Sequence, residues 1–239
     1  MIDADPYSTR TLAQSVPAAL ILLGGRPMEF TPGTKWSYNG TNYMLLGVLI
    51  ETLSGKSFVE FCRERVFKPL GLQRPIFGDS RAVVMNRATV YTRFRFDTDP
   101  PQRIDHPEVL SYEMPSFSYP AGGLNISIAD MTAWMVALEE GKFISRRSLE
   151  ELWELARFSD GTVFRRSTNP FWTGYGLGWV LNPRSTHPTV GGTGGLRAGF
   201  FIYPKDNLSV IVLTNLQTAG PESLVEGVGD LYLKAKSQL

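Results

Sequence analysis

The segment PTVGGTGGLRAGFFIYPKDNLSVIVLTN, Pro188 to Asn215, puts four glycines just ahead of two apolar runs joined by a turn. Glycine at the start of a strand lets a second backbone or a ligand approach closely, because no Cβ stands in the way. A substrate laid along such a strand could take main-chain hydrogen bonds as an added strand, and an N–H there could face a developing oxyanion. Taken alone, Gly191 to Gly195 reads equally well as a structural glycine turn. The other chemistry-bearing residues are weaker signals. GDSRA (78 to 82) matches only the outline G-x-S-x-A and has no strand before it, so it does not read as a nucleophile elbow. His106 and His187 sit in proline-flanked loops and read as surface residues. The single cysteine, Cys62, excludes an internal disulfide and reads as a small buried hydrophobe. Two separated histidines without a second cysteine make no zinc site, so no metal is expected.

The glycine strand has a partner upstream in FTPGTKWSYNGTNYMLLGVLIETLSG, residues 30 to 55. The series continues through FKPLGL (67 to 72), YPAGGLNISIADMTAWMVALEEG (119 to 141), YGLGW (175 to 179), VGGTGG (190 to 195) and FFIYPKDNLSVIVLTN. In this order, over nearly the whole chain, it resembles the serine beta-lactamase and penicillin-binding-protein-like superfamily, close to the class C, D-aminopeptidase and esterase branch. The resemblance implies an acyl substrate attacked by the serine of an S-x-x-K motif. A tyrosine of Y-x-N would help move the proton, and a K/H-x-G strand would bind substrate and complete the oxyanion hole. The chemistry is physical: a serine hydroxyl is a poor nucleophile until a nearby base takes its proton, and a lysine discharged by burial can serve. A phenol, with a free pKa of ~10, needs a cationic neighbour to act as that base near neutrality. The implied substrate is a small-molecule or peptide acyl compound, namely an ester, a β-lactam or a D-amino-acid peptide, and no cofactor is implied.

Carried over residue by residue, Tyr38 matches the motif tyrosine. Its dull alternative is a packed ring with the hydroxyl on a backbone group. Gly40 stands where the motif has asparagine, leaving Asn39 and Asn42 as the amides that could reach in. On the strand, Gly192-Thr193-Gly194 falls on K/H-x-G, so Gly192 replaces the cationic or imidazole side chain. Thr193 and the N–H of Gly195 still fit substrate and oxyanion roles, although Thr193 reads also as an ordinary strand residue. Trp172, in NPFWTGYG, is a candidate cleft wall, whereas Trp36, Trp134, Trp153 and Trp179 read as core. No serine in the chain has lysine three residues on. The family motif lies on a helix upstream of the tyrosine, preceded by two strands, so the nucleophile-bearing segment is expected to lie outside this polypeptide. Three readings follow: a serine hydrolase that is inactive as this chain, a non-catalytic binding module that keeps the cleft, or a fragment with no stable function.

The elements that must position these residues are legible from caps and periodicity. NYMLLGVLIETL (42 to 53) is apolar nearly all round at helical length and belongs in an interior, with Asn42 as its N-cap. Ser57 with Glu60 makes a capping box for FVEFCRERVF, and Ser127 with Asp130 starts IADMTAWMVALEE. Ser148 with Glu151 gives the same signal for LEELWELARF. Residues 73 to 126 lack a sustained period and read as long ordered loops. LGWVL (177 to 181), AGFFIYP (198 to 204) and LSVIVLT (208 to 214) are β-rich, the last two joined by KDN as a hairpin. Being apolar on both faces, they need cover on both sides, in part from a final helix at about 221 to 235.

The expected fold is α/β of the α+β kind: an antiparallel sheet flanked by helices, plus a largely helical region. It is read as one domain over 1–239, helical at about 10–160, with sheet and C-terminal helix at about 175–236. The 239 residues are 43% hydrophobic and carry a formal net charge of +1, which gives no field to gather nucleic acid or an anionic membrane. VPAALILLGG (16 to 25) lacks the basic start and cleavage site of a signal peptide and reads as an amphipathic helix. No run approaches the ~20 apolar residues that span a bilayer, so the chain as written is expected to be soluble and without an address. LSVIVLT, lacking the family's two N-terminal strands beside it, would present an open apolar edge, and self-association through it is expected.

Overall fold

The computed structural model describes residues 28–78, 83–95, 97, 99–165, 169–195 and 197–236. The expected helix at 16 to 25 and all of GDSRA after Gly78 lie outside them. The chain divides into two compact units, Met1–Arg87 with Ser111–Trp134, and Ala88–Leu110 with Met135–Leu239.

In the first unit, α1 (Thr41–Ser54) starts from Gly40, and the Asn39 side-chain oxygen accepts a hydrogen bond from the Thr41 N–H at 2.9 Å. The start therefore falls on Asn39-Gly40 and not on Asn42: the Asx turn at Asn39 satisfies a donor that an Asn42 cap would have left to solvent. Gly55, in the left-handed region at φ 67°, ends the helix. α2 (Phe58–Cys62) carries the Ser57/Glu60 capping box and runs on into a π turn, Arg63–Phe67. The expectation of an interior α1 is overturned. Of its residues only Gly47 and Glu51 are buried, while Leu45, Leu46, Leu49 and Leu53 are exposed. Glu51 accepts from the Phe58 N–H at 2.7 Å, which fixes the α1–α2 corner.

The apolar centre of this unit is a ring cluster. Phe77 lies 5.4 Å from Phe58, 6.1 Å from Phe67 and 5.6 Å from Tyr119, centre to centre. Phe77 belongs to β1 (Ile76–Phe77), which pairs antiparallel with β4 (Leu124–Asn125), and Tyr119 to a 3-10 turn, Ser116–Ala121, that packs on α1. Asp130, in the first turn of α3 (Ile128–Glu139), is buried and accepts from the Gln73 and Arg74 N–H groups at 2.8 and 3.0 Å, and from the Ser127 hydroxyl. Burial, the largest single influence, pushes its carboxyl up, but these hydrogen bonds more than offset it and hold Asp130 below the usual carboxylate range.

The second unit contains a strand pair that the sequence reading treated as loop. β2 (Tyr91–Arg95) and β3 (Gln102–Val109) are antiparallel, with a register shift between Thr92 and Phe94. The main sheet has the order β5-β6-β7-β8-β9, all antiparallel: β5 (Gly174–Tyr175), β6 (Val180–Asn182), β7 (Thr189–Gly194), β8 (Ala198–Tyr203) and β9 (Leu208–Leu213). α4 (Arg146–Leu152) is capped by Ser145, whose hydroxyl accepts from the Ser148 N–H, three residues earlier than the Ser148/Glu151 signal. α5 (Pro221–Lys236) covers one face of the sheet. A side chain at Gly199 would press on Pro221 and Val225, and Tyr203 is fully buried beneath Gly229. Toward the other face, the Ser209 hydroxyl donates at 2.6 Å to Glu139, in the last turn of α3, which belongs to this second unit.

YGLGW owes Gly176 to packing and Gly178 to its backbone, which is left-handed at φ 87°. A Cβ at Gly176 would collide with the Leu152 carbonyl and stand 2.9 Å from that of Glu154, so only glycine lets this turn close on the end of α4. At the far end of the sheet, Arg184 pairs with Glu226 of α5 at 3.4 Å, and Asn182 donates to the same carboxylate. Burial pushes the Glu226 carboxyl up, against the Arg184 charge.

Candidate active site

The candidate residues fall into one group in each unit. In the first unit, Tyr38, Asn39 and Asn42 lie on the surface around the start of α1. Tyr38 is 66% exposed, so it is not the packed ring of its dull reading. Asn39 is committed to the Asx turn that starts the helix. A Cβ at Gly40 would stand 3.7 Å from the Ala121 Cβ, ordinary van der Waals contact, so the first atom of a side chain fits there.

In the second unit, Gly192, Thr193 and Gly194 lie on β7, and Gly195 opens the turn to β8 at φ 56°. Thr193, Gly194 and Gly195 are exposed. The pairing Gly192↔Phe200 and Thr193↔Gly199 sets the faces: Thr193 shares the α5 side with Gly199, and Gly192 shares the opposite side with Phe200. A Cβ at Gly192 would lie 2.8 Å from Cε1 and Cζ of Phe200. The Phe200 ring therefore lies across the place where a lysine or histidine side chain would start. It is held there edge-on by Trp179 at 5.9 Å, which in turn meets Trp153 at 5.8 Å. Gly191 is closed in the same way by the Phe200 carbonyl and the Phe201 ring. Two of the four glycines are thus required by the neighbouring strand, while Gly194 has open space at its Cβ position.

One charged residue escaped the sequence reading. Arg197 folds back so that its Nη2 and Nε lie 3.1 and 3.4 Å from the Cβ position of Gly195, and its carbonyl accepts from both the N–H and the hydroxyl of Thr214. A positive charge is present at the glycine turn although none is present at residue 192; the signal was an arginine inside GGLRAG. Trp172, read as a cleft wall, is instead 9% exposed and packed 6.2 Å from Tyr175; a strand-flanking tryptophan in an apolar layer goes inward. Cys62 is half-buried, and burial pushes its thiol up to about 11, so it is no nucleophile near neutrality. Among the described residues no group of three or more His, Cys, Asp or Glu could hold a metal ion, and no helix is long and apolar enough to cross a membrane.

The beta-lactamase family model matches residues 3–230. This chain belongs to the beta-lactamase family. Among curated relatives, penicillin-binding protein 4* of Bacillus subtilis is 30% identical over 172 residues, covering 64% of this chain and 32% of that protein. A putative D-alanyl-D-alanine carboxypeptidase of Escherichia coli O157:H7 is 25% identical over 248 residues, covering 89% of this chain and 54% of that protein. The beta-lactamase-family chain thus spans between a third and about half of these relatives' lengths. The crystal structure of a penicillin-binding protein from Bacillus halodurans superposes with TM-score 0.72 at 21% identity, covering 96% of this chain and 66% of that one, a likeness of fold.

Proposed function

We propose that these residues form the tyrosine loop and substrate strand of a serine hydrolase that works through an acyl-enzyme on an ester, a β-lactam or a D-amino-acid peptide. We propose further that the 239-residue chain does not turn substrate over by itself. One observation carries the reading: the family's tyrosine and strand positions, Tyr38 and Thr193-Gly194-Gly195, are surface-accessible, while no serine in the sequence has lysine three residues on. The relatives' names, a penicillin-binding protein and a D-alanyl-D-alanine carboxypeptidase, support an acyl substrate of peptide type. In the reaction, Tyr38 would relay the proton of a serine supplied from outside these residues. The Gly195 N–H would meet the oxyanion, worth about 3 kcal/mol of barrier for such a donor. The test is incubation of the purified chain with a fluorophosphonate and a fluorescent β-lactam, followed by intact mass. No adduct is expected; a stoichiometric adduct would reveal a nucleophile within the chain and overturn the assignment.

A second reading, a binding module without chemistry, is favoured by the Phe200 ring across Gly192, since an internal repacking is not explained by a missing nucleophile alone. It would bind acyl ligands along β7 without cleaving them. Activity in a chain supplied with an S-x-x-K segment, abolished by Tyr38→Phe, would sink it.

A further inference from the structure

A group of charged and polar side chains unused by the acyl-transfer reading lies at the far end of the sheet, where the turn between β6 and β7, residues 183–188, meets α5. Asn182, the last residue of β6, is buried, and its amide donates to Glu226 Oε1 at 3.4 Å. Arg184 Nη1 meets the same oxygen at 3.4 Å. The guanidinium also serves its own turn, because Nε donates to the His187 carbonyl at 2.8 Å. His187 in turn meets Asp206, in the β8–β9 turn, at 2.8 Å through Nδ1, and its backbone is left-handed at φ 48°. A non-glycine residue stays in that region only where its surroundings hold it, and here the holding contacts come from Arg184 and Asp206. One guanidinium therefore joins the end of β6, a strained turn and α5.

The carboxylate that anchors this guanidinium is poorly matched. The Glu226 side chain is only 16% exposed, and both of its contacts are long and use one oxygen. Asp130, also buried, accepts three hydrogen bonds at 2.8 to 3.1 Å and is held below the usual carboxylate range. In Glu226 burial wins and pushes the carboxyl up. Its neighbours do not reverse that direction. Arg184, from the turn, and the Asn182 amide, from β6, favour the ionised form, while Asp230, one turn on along α5, disfavours it. Glu222 lies one turn before it on the same helix, and Tyr203, from β8, is a phenol pushed up mainly by its own burial. Glu226 thus takes a proton more readily than a solvated glutamate, whereas Arg184 stays charged.

We propose that Arg184 is a proton-operated latch between the β6–β7 turn and α5, closed while Glu226 is ionised and opened when Glu226 takes up a proton. Protonation removes the charge that draws the guanidinium inward, and a side chain already 30% exposed then lowers its energy by turning to water. The His187 carbonyl loses its donor and the left-handed turn is free to relax, while the His187–Asp206 contact remains. The sign is opposite to that of Asp130. Ionised Glu226 weighs against the fold at neutral pH, and that cost disappears as pH falls through the folded value, so opening is a local event and not the onset of acid unfolding. The turn leads directly into β7, so the latch sets how firmly the start of that strand is held against α5. The device does not depend on the catalytic reading.

Glu226→Gln keeps the shape of the side chain and removes its charge, which makes it a standing open form. Trypsin cleavage after Arg184, mapped by mass at mildly alkaline pH, needs this side chain out of its contacts. It should run about tenfold faster in Glu226→Gln than in the parent, because proteolysis follows the open population. Circular dichroism and the urea midpoint check that the variant folds. A second measurement needs no variant: the heteronuclear NOE of the Arg184 Nε–H in the parent should fall between about pH 7 and about pH 4, with its midpoint above the usual carboxylate range. In Glu226→Gln it should be low throughout. Equal rates of cleavage after Arg184 in the two chains would overturn the proposal. So would an Nε–H that stays rigid as Glu226 is protonated, or a pH response that persists in Glu226→Gln and therefore belongs to His187 and Asp206.

Discussion

Gly192 and Phe200 act as one unit, because the ring occupies the space a side chain at 192 would need. Restoring the family's cation by Gly192→His alone should overpack this point and cost about 1–3 kcal/mol in urea unfolding. With Phe200→Ala in the same chain, the cost of adding the histidine should fall by more than about 1 kcal/mol, the signature of direct coupling in a double-mutant cycle. Equal costs in both backgrounds would mean that the ring is not what excludes the side chain. At this scale the sequence was half legible. That Gly192 lies on a strand could be read from the glycine run ahead of the hairpin, but the Phe200 ring over Gly192 could not, because cross-strand pairing sets it. The burial of Trp172 was illegible for a related reason: a loop position says nothing about which way an indole turns.

Of the four helix starts read from caps, two hold, since a cap is a contact between residues three apart, and two are displaced, to Asn39 and to Ser145. Ser57/Glu60 and Ser127/Asp130 are present as read. The β2–β3 pair escaped because its strands are held by each other and not by a local pattern of apolar residues. Asp130 does more than its cap signal implied, tying α3 to the Gln73 and Arg74 backbone across more than fifty positions of sequence. Asp130→Ala leaves the Gln73 and Arg74 N–H groups and the Ser127 hydroxyl without their acceptor and should cost about 1–3 kcal/mol. A loss under about 0.5 kcal/mol would show that water replaces the carboxylate. The pH dependence follows from the direction of its shift. A carboxyl held below its unfolded value stabilises the fold at neutral pH, and that contribution disappears as pH falls through the folded value. Asp130→Asn should therefore flatten the acid limb of the stability curve measured by denaturant titration, and an unchanged limb would assign the acid sensitivity to other groups.

For the whole molecule, the apolar face of α1 poses the question that hydropathy alone answered wrongly. A helix apolar nearly all round reads as interior, yet Leu46 and Leu49 are each 52% exposed and Leu53 79%. Periodicity reports what a helix can bury, and only tertiary structure reports what is there to bury it. If these leucines face solvent in the 239-residue chain, replacing Leu49 or Leu53 with glutamate removes little buried area. Stability by urea unfolding should then stay within about 0.5 kcal/mol of the parent. If other polypeptide covers the face in solution, the same substitution puts a charge into an apolar contact and should cost several times more. The size of that loss, read in this chain and again in one carrying an S-x-x-K segment, would locate where the additional polypeptide packs. A loss confined to the longer chain would make α1 its seat in the first unit.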